Sequence, residues 1–140
     1  MQDAYLNCAA LDVVAIHAYG QGDFATDKLK GYVSRAKAAN KKLILQEWGV
    51  CYYSTAKNNE CSKSTPVGDS QRGSNLQMWA SQIDASGIPW MYWQILPNND
   101  QHEGEDYEIG VTEPIWSTFK EAAKNTSTYT AAFDFSKWLS

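Results

Sequence analysis

Three short apolar runs, each followed by residues at helical spacing, constrain this chain more than any other feature of its sequence. Leu11-Asp12-Val13-Val14-Ala15-Ile16-His17 is almost continuously apolar and ends on a polar group. Such a run marks a strand covered on both faces, as in a parallel sheet. From Thr26, a candidate cap, Leu29, Val33 and Ala36 recur with Tyr32 at helical spacing until Asn40, a candidate stop. Leu43-Ile44-Leu45 begins a second strand that runs into Gln46-Glu47-Trp48-Gly49, and a polar loop follows as far as about Asp69. Leu76, Trp79, Ala80 and Ile83 form the face of a second helix, ended by Gly87, and residues 88–95 read as a third strand. Beyond a loop rich in Asn, Asp and Glu, Pro114 opens a third helix whose buried side is Ile115, Phe119 and Ala122 or Ala123. Phe133, Phe135, Trp138 and Leu139 are expected to pack back as a terminal element.

This alternation predicts an α/β fold of right-handed βαβ units on a parallel sheet. A doubly wound open sheet and part of a (β/α)₈ barrel both satisfy it, and a whole barrel takes about 250 residues. With 140 residues and no low-complexity linker, the chain is one domain, 1–140, holding three units. Twelve Lys and Arg against 16 Asp and Glu give a net charge of −4, which excludes a basic field for nucleic acid. No apolar run approaches the roughly 18–20 residues of a membrane span, and no membrane partner is expected. The first 20 residues lack a signal-peptide pattern, and Met1 followed directly by polar chain reads as an artificial start.

Cys51 and Cys61 bracket a polar stretch and read as a loop stapled by a disulfide, with Cys8 left over as a buried thiol or the partner of a sulfur elsewhere. Asn125-Thr126-Ser127 is a glycosylation sequon, and with the disulfide it points to a secreted parent protein. A structural zinc site is not expected, since the cysteines have no CxxC or His spacing. No cofactor or metal is expected.

In parallel architectures the working residues gather where strands end. Here the three ends carry His17-Ala18-Tyr19, Glu47-Trp48-Gly49 and Trp93-Gln94. Alternation groups Val13, Ala15, His17 and Tyr19 on one face, and likewise Leu43, Leu45 and Glu47, and Met91, Trp93 and Ile95. A carboxylate at the tip of an apolar strand requires partners, because unpaired burial is costly. The bland alternatives are a structural acid for Glu47, a rim histidine for His17 and a core tryptophan for Trp93.

Taken jointly, these positions resemble glycoside hydrolase family 5, in the clan of retaining (β/α)₈ glycosidases, and in particular fungal endo-β-mannanase-like or β-glucanase-like members. The resemblance runs from the first strand to the last helix and implies a partial TIM barrel, its C-terminal portion, strands six to eight. It implies that His17-Ala18-Tyr19 closes strand six and that Leu45-Gln46-Glu47-Trp48-Gly49 closes strand seven. On strand eight Met91-Tyr92-Trp93-Gln94 would supply the Trp that floors the sugar site. Glu47 is then the nucleophile, Tyr19 the donor that holds it ionised, His17 a support or sugar ligand, and Trp93 the platform. Trp48 and Trp90 are further candidates for binding or packing.

The family's acid/base, a Glu after Asn on strand four, has no counterpart here. Asn59-Glu60 lies between the cysteines without a preceding strand and is read as coincidental. Asp100, Glu103, Glu105, Asp106, Glu108 and His102 form a loop expected to be solvated. Without a proton donor, hydrolysis would lose the general-acid contribution, typically about 10² to 10⁴-fold. The expected ligand is therefore a β-linked oligo- or polysaccharide, cut by the parent enzyme. The alternative is a non-catalytic carbohydrate-binding or interaction fragment. A remote one is a dinucleotide-binding domain, because Gly20-Gln21-Gly22-Asp23-Phe24-Ala25 spells GxGxxA. Three strands leave open edges, so self-association, or association with a missing N-terminal barrel half, is expected.

Overall fold

The computed structural model describes residues 1–54, 61–103 and 106–138, without the side chains of Gln21 and Trp138. Asn59-Glu60, Glu105 and Leu139 lie outside the described residues. The elements run α1 (Asp3–Leu6), β1 (Val13–Ala18), α2 (Thr26–Ala38), β2 (Lys42–Trp48), α3 (Asp69–Asp84), β3 (Ile95–Leu96), β4 (Ile109–Gly110) and α4 (Ile115–Asn125). No helix among the described residues is long and apolar enough to cross a membrane.

β1 and β2 pair in parallel, from Val13 opposite Lys42 to Ala18 opposite Trp48. The third expected strand meets β2 in a single parallel bridge, Leu45 to Trp90. Its backbone still follows β2: Pro89 O accepts from Leu45 N at 2.9 Å, Met91 N donates to Leu45 O at 2.9 Å, and Trp93 N donates to Trp48 O at 2.9 Å. The regular strand that does form, β3, begins only at Ile95 and pairs in parallel with β4.

Val14, Ala18, Leu43, Leu45 and Trp48 share one continuous core with Leu29, Val33 and Ala36 of α2, Leu76, Trp79 and Ile83 of α3, and Ile115 and Ala122 of α4. On the other side of the strands Ala15, His17, Met91 and Trp93 stay exposed. The apolar run of β1 is therefore covered by helices on one face and open on the other, which corrects the expectation of two covered faces. The α4 stripe takes Ala122 inward and leaves Ala123 exposed.

The turns obey local chemistry. Asn40 ends α2 with φ 54°, a left-handed conformation that Asn tolerates. Gly87, at φ 76°, lets the chain leave α3 beneath residues 130–132, where a Cβ would stand 2.9 Å from Thr130 O. Thr26 does not cap α2: it is the first helical residue, and its hydroxyl donates to Gln82 O at 3.2 Å, tying α2 to α3. The GxGxxA segment folds into a 3-10 turn in which Gly20 N donates to the Asp23 carboxylate at 3.3 Å, so this amide already holds an anion from its own chain.

Candidate active site

Glu47 reaches its position through a register shift. Ile16 stands opposite Leu45 but His17 stands opposite Glu47, so Gln46 is an extra residue in β2. Such a bulge reverses the alternation beyond it. Glu47 consequently leaves the buried face of Leu43 and Leu45, where simple alternation would put it, and joins the face of Ala15 and His17. Trp48 takes the buried side, with 0% exposure.

The Tyr19 hydroxyl donates to Glu47 Oε2 at 2.8 Å, and His17 Nδ1 lies 3.2 Å from the same oxygen. The carboxylate keeps 26% exposure and the imidazole 47%, an acid on a surface with one hydroxyl donor and one imidazole beside it. Gln46, exposed by the bulge, places Oε1 3.4 Å from His17 Nε2. Burial, and after it the hydrogen bond to Glu47, pushes the Tyr19 phenol well above its ordinary range, so Tyr19 remains a proton donor at any physiological pH. A carboxylate that accepts a hydrogen bond from a fixed hydroxyl is oriented by it. Chemically it can serve as a nucleophile or as an electrostatic partner for a developing cation.

Trp93 is 42% exposed, and the Trp93–Gln94 peptide is cis. Its backbone passes close to the Glu47 loop: a Cβ at Gly49 would stand 2.9 Å from Trp93 O and 2.7 Å from the Tyr107 Cβ. Glycine after Glu47-Trp48 is thus required by two chain segments crossing it. Trp48 and Trp90 occupy packing positions. Trp48 meets the rings of Phe24, Trp90 and Tyr92 edge-on, and Trp90 donates Nε1 to Asp84 Oδ1 at 2.8 Å. Burial raises the Asp84 carboxyl, and its bonds from Trp90 and Thr126 oppose that rise.

Behind the site lies a second small core of Cys51, Tyr53, Cys61 and Tyr107, against which Tyr19 and Tyr52 pack. Cys51 and Cys61 are disulfide-bonded, with Cα atoms 5.5 Å apart, and Cys8 is free and partly buried. Arg72 of α3, 1% exposed, anchors the second core. Its Nε donates to Val50 O at 3.1 Å and its Nη2 to Glu108 O, while its guanidinium lies 5.4 Å from the Tyr52 ring. It also stands 3.9 Å from Asp106 Oδ1 and 3.8 Å from Glu113 Oε2.

The acidic loop is only partly solvated. Asp106 is 1% exposed, and burial pushes its carboxyl up to about 6 against the pull of His102. His102 stacks on Tyr52 at 3.5 Å and places Nδ1 2.8 Å from Asp106 Oδ2 and 3.3 Å from Asp100 Oδ2. Asp100, His102 and Asp106 are the described residues whose ligand atoms lie close enough to hold a metal ion, within 4.8 Å of one another. The Arg72 cation already faces Asp106 there, and the cluster reads as an ion-paired strap. Glu103 is exposed.

Sequence reading missed Arg72, Tyr107 and the Gln46 bulge. The α3 stripe of Leu76, Trp79, Ala80 and Ile83 extends back one turn to Arg72, a signal that was available. Tyr107 and the bulge have no comparable signature. Asn125, in the sequon, is exposed at the end of α4.

No protein-family model matches the sequence, and no curated protein matches it. Solved structures do match in fold. The endo-β-1,4-mannanase of Thermotoga petrophila aligns over 88% of this chain and 28% of its own, at 16% identity and TM-score 0.56. A hyperthermostable endo-1,4-β-D-mannanase from Thermotoga petrophila RKU-1, solved with maltose and glycerol, aligns over 89% of this chain and 36% of its own, at 15% identity and TM-score 0.56. The chain thus spans about a third of the mannanase chains whose fold it shares.

Proposed function

We propose that this chain is the C-terminal part of a retaining glycoside hydrolase barrel of family 5 type, strands six to eight, acting on β-linked polysaccharide such as mannan or β-glucan. The observation that carries the reading is the Tyr19–Glu47–His17 constellation, one carboxylate oxygen that accepts from a tyrosine hydroxyl at 2.8 Å and lies 3.2 Å from an imidazole nitrogen at adjacent strand ends. Helices on one side of the strands and an open opposite face support a barrel wall over a doubly wound sheet, which covers both faces. The exposed Trp93 offers the apolar ring face that sugars stack on.

In this reading Glu47 attacks the anomeric carbon as the glycosidic C–O bond breaks, and Tyr19 releases its hydrogen bond as charge leaves the carboxylate. A second carboxyl group, about 5 to 5.5 Å away in retaining enzymes, protonates the leaving oxygen and later activates water. That group would come from chain beyond these residues. The parent protein is read as a secreted glycoprotein modified at Asn125, and the chain as self-associated or docked to the missing barrel half through its open face. The reaction needs no metal or cofactor.

The test avoids the missing acid. A 2,4-dinitrophenyl 2-deoxy-2-fluoro-β-mannoside or -glucoside carries a leaving group that departs unprotonated, so nucleophilic attack alone traps a glycosyl ester. Mass spectrometry is expected to place that ester on the peptide holding Glu47 and to find none in Glu47→Gln. An unlabelled chain whose tryptophan fluorescence is quenched by mannan or β-glucan would favour the carbohydrate-binding alternative, which the exposure of Trp93 supports. Native mass measurement distinguishes a lone chain from a pair.

A further inference from the structure

Tyr19 lies one residue beyond β1, outside the strand pairing that fixes Ala18. Something other than the sheet must therefore hold its ring so that its hydroxyl points at Glu47. The Tyr107 ring does so, its centroid 4.5 Å from that of Tyr19 at an interplanar angle of 47°. Tyr107 is 8% exposed and is itself fixed along its backbone. Its N–H donates to Glu108 Oε2 at 2.9 Å, and its carbonyl accepts from the Tyr92 hydroxyl at 2.8 Å. The same Tyr92 oxygen accepts from Val50 N at 3.1 Å. Tyr107 is thus tied to the segment that follows Glu47 and, through Gly49, packs directly against it.

We infer that Tyr107 is a positioning residue for Glu47, acting through Tyr19, an inference that rests on Glu47 being the nucleophile proposed above. Its ring removes Tyr19 from water on one side and limits its rotation on the other. The first effect raises the phenol's titration further, and the second keeps the donor aimed. The ring supplies the packing, and the Tyr107 phenol adds a smaller electrostatic share to the rise of Tyr19.

Two measurements test this. Incorporated 3-fluorotyrosine has a phenol that titrates below that of tyrosine, and the Tyr19 fluorine signal is assigned by its loss in Tyr19→Phe. Tyr107→Leu is expected to lower the Tyr19 titration midpoint, and Tyr107→Phe to lower it less, because Phe keeps the burial that is the largest cause of the rise. In the labelling reaction Tyr107→Leu is expected to slow ester formation on Glu47 about tenfold, within what small misplacements of reacting groups cost. It should slow it no further in a Tyr19→Phe background, because groups acting in series are not additive. An unchanged Tyr19 midpoint in Tyr107→Leu, or multiplying effects of the two substitutions, overturns the inference. If the wild-type chain is never labelled, the nucleophile reading fails, and the fluorine titration still decides whether Tyr107 controls Tyr19. If Tyr107→Leu does not fold, Tyr107→Met is read in the same way.

Discussion

Replacing Arg72 by Met would remove the charge that joins α3 to the two loops behind the site while filling much the same volume. The consequence follows from what it leaves behind. Val50 O and Glu108 O lose their donors, and Asp106, 1% exposed, and Glu113, 11% exposed, lose a countercharge. Removing one member of a buried ion pair costs about 3–5 kcal/mol, chiefly because the other is stranded. Against a total stability of about 5–15 kcal/mol that is a large fraction. With a urea slope of about 2 kcal/mol per M, the midpoint should fall by about 2 M at unchanged slope. The internal control is Arg35, which makes a shorter ion pair, 2.6 Å to Asp3, with side chains 45% and 80% exposed. Solvent screening makes such a pair worth about 0–1 kcal/mol, so Arg35→Met should shift the midpoint by less than about 0.5 M. Arg72→Lys should fall between, since an ammonium cannot span the positions served by a planar fork. The assay is equilibrium urea unfolding at pH 7, followed by tryptophan fluorescence and by circular dichroism. A loss below about 1 kcal/mol for Arg72→Met, or equal losses for Arg72→Met and Arg35→Met, would refute the claim that burial rather than distance sets the value of these pairs.

Asp106 titrates near 6 in the fold instead of its ordinary 3.8, so between those values the unfolded chain loses its proton first and stability falls as pH rises. Asp106→Asn should flatten the pH dependence of the urea midpoint in that window, and an equally steep slope would assign it to another group. Opening the disulfide in Cys51→Ser frees a loop with sequence separation 10, for which chain entropy gives a loss of about 3 kcal/mol by urea unfolding. Gly49→Ala would place a Cβ 2.7 Å from that of Tyr107 and 2.9 Å from Trp93 O, an overlap expected to cost about 1–3 kcal/mol in the same assay.

The parts of the fold that the sequence made legible are those whose burial is periodic. Leu29, Val33 and Ala36, and Leu76, Trp79 and Ile83, marked α2 and α3 because one helical face was apolar throughout. The cysteine pairing was legible because the two residues bracket a short polar stretch. Tyr19, His17 and Glu47, grouped from the sequence at the strand ends, do meet in the structure, but the geometry by which they meet was not legible. Alternation alone would have placed Glu47 with Leu43 and Leu45, and the bulge at Gln46 that turns it outward depends on pairing with β1, which no local pattern in β2 records. The acidic loop departs from its sequence pattern for a related reason. Charged residues in a run are ordinarily solvated, but Asp106 is buried, with His102 2.8 Å from one carboxylate oxygen and Arg72 of α3, more than thirty residues away in sequence, 3.9 Å from the other. Residues 88–95 looked like a strand because they are apolar, yet they keep one bridge to β2, with exposed Met91 and Trp93 on the open side.

The position of Glu47 on the seam between two cores explains why its neighbours are so differently built. Trp48, the next residue, is sunk in the large core and fixes the backbone of the strand end by packing alone. Tyr19 and Tyr107 belong to the small core, whose members come from three loops and whose cohesion depends on a disulfide and one buried arginine. Removing an anchor of the small core, Arg72 or the disulfide, should therefore lower global stability much as a large-core substitution does, whereas trimming the Tyr107 ring, which only leans on Tyr19, can misplace the donor to Glu47 while those anchors remain. The ring contact between Tyr19 and Tyr107, rather than the anchors behind it, is where substitutions should separate reactivity from stability.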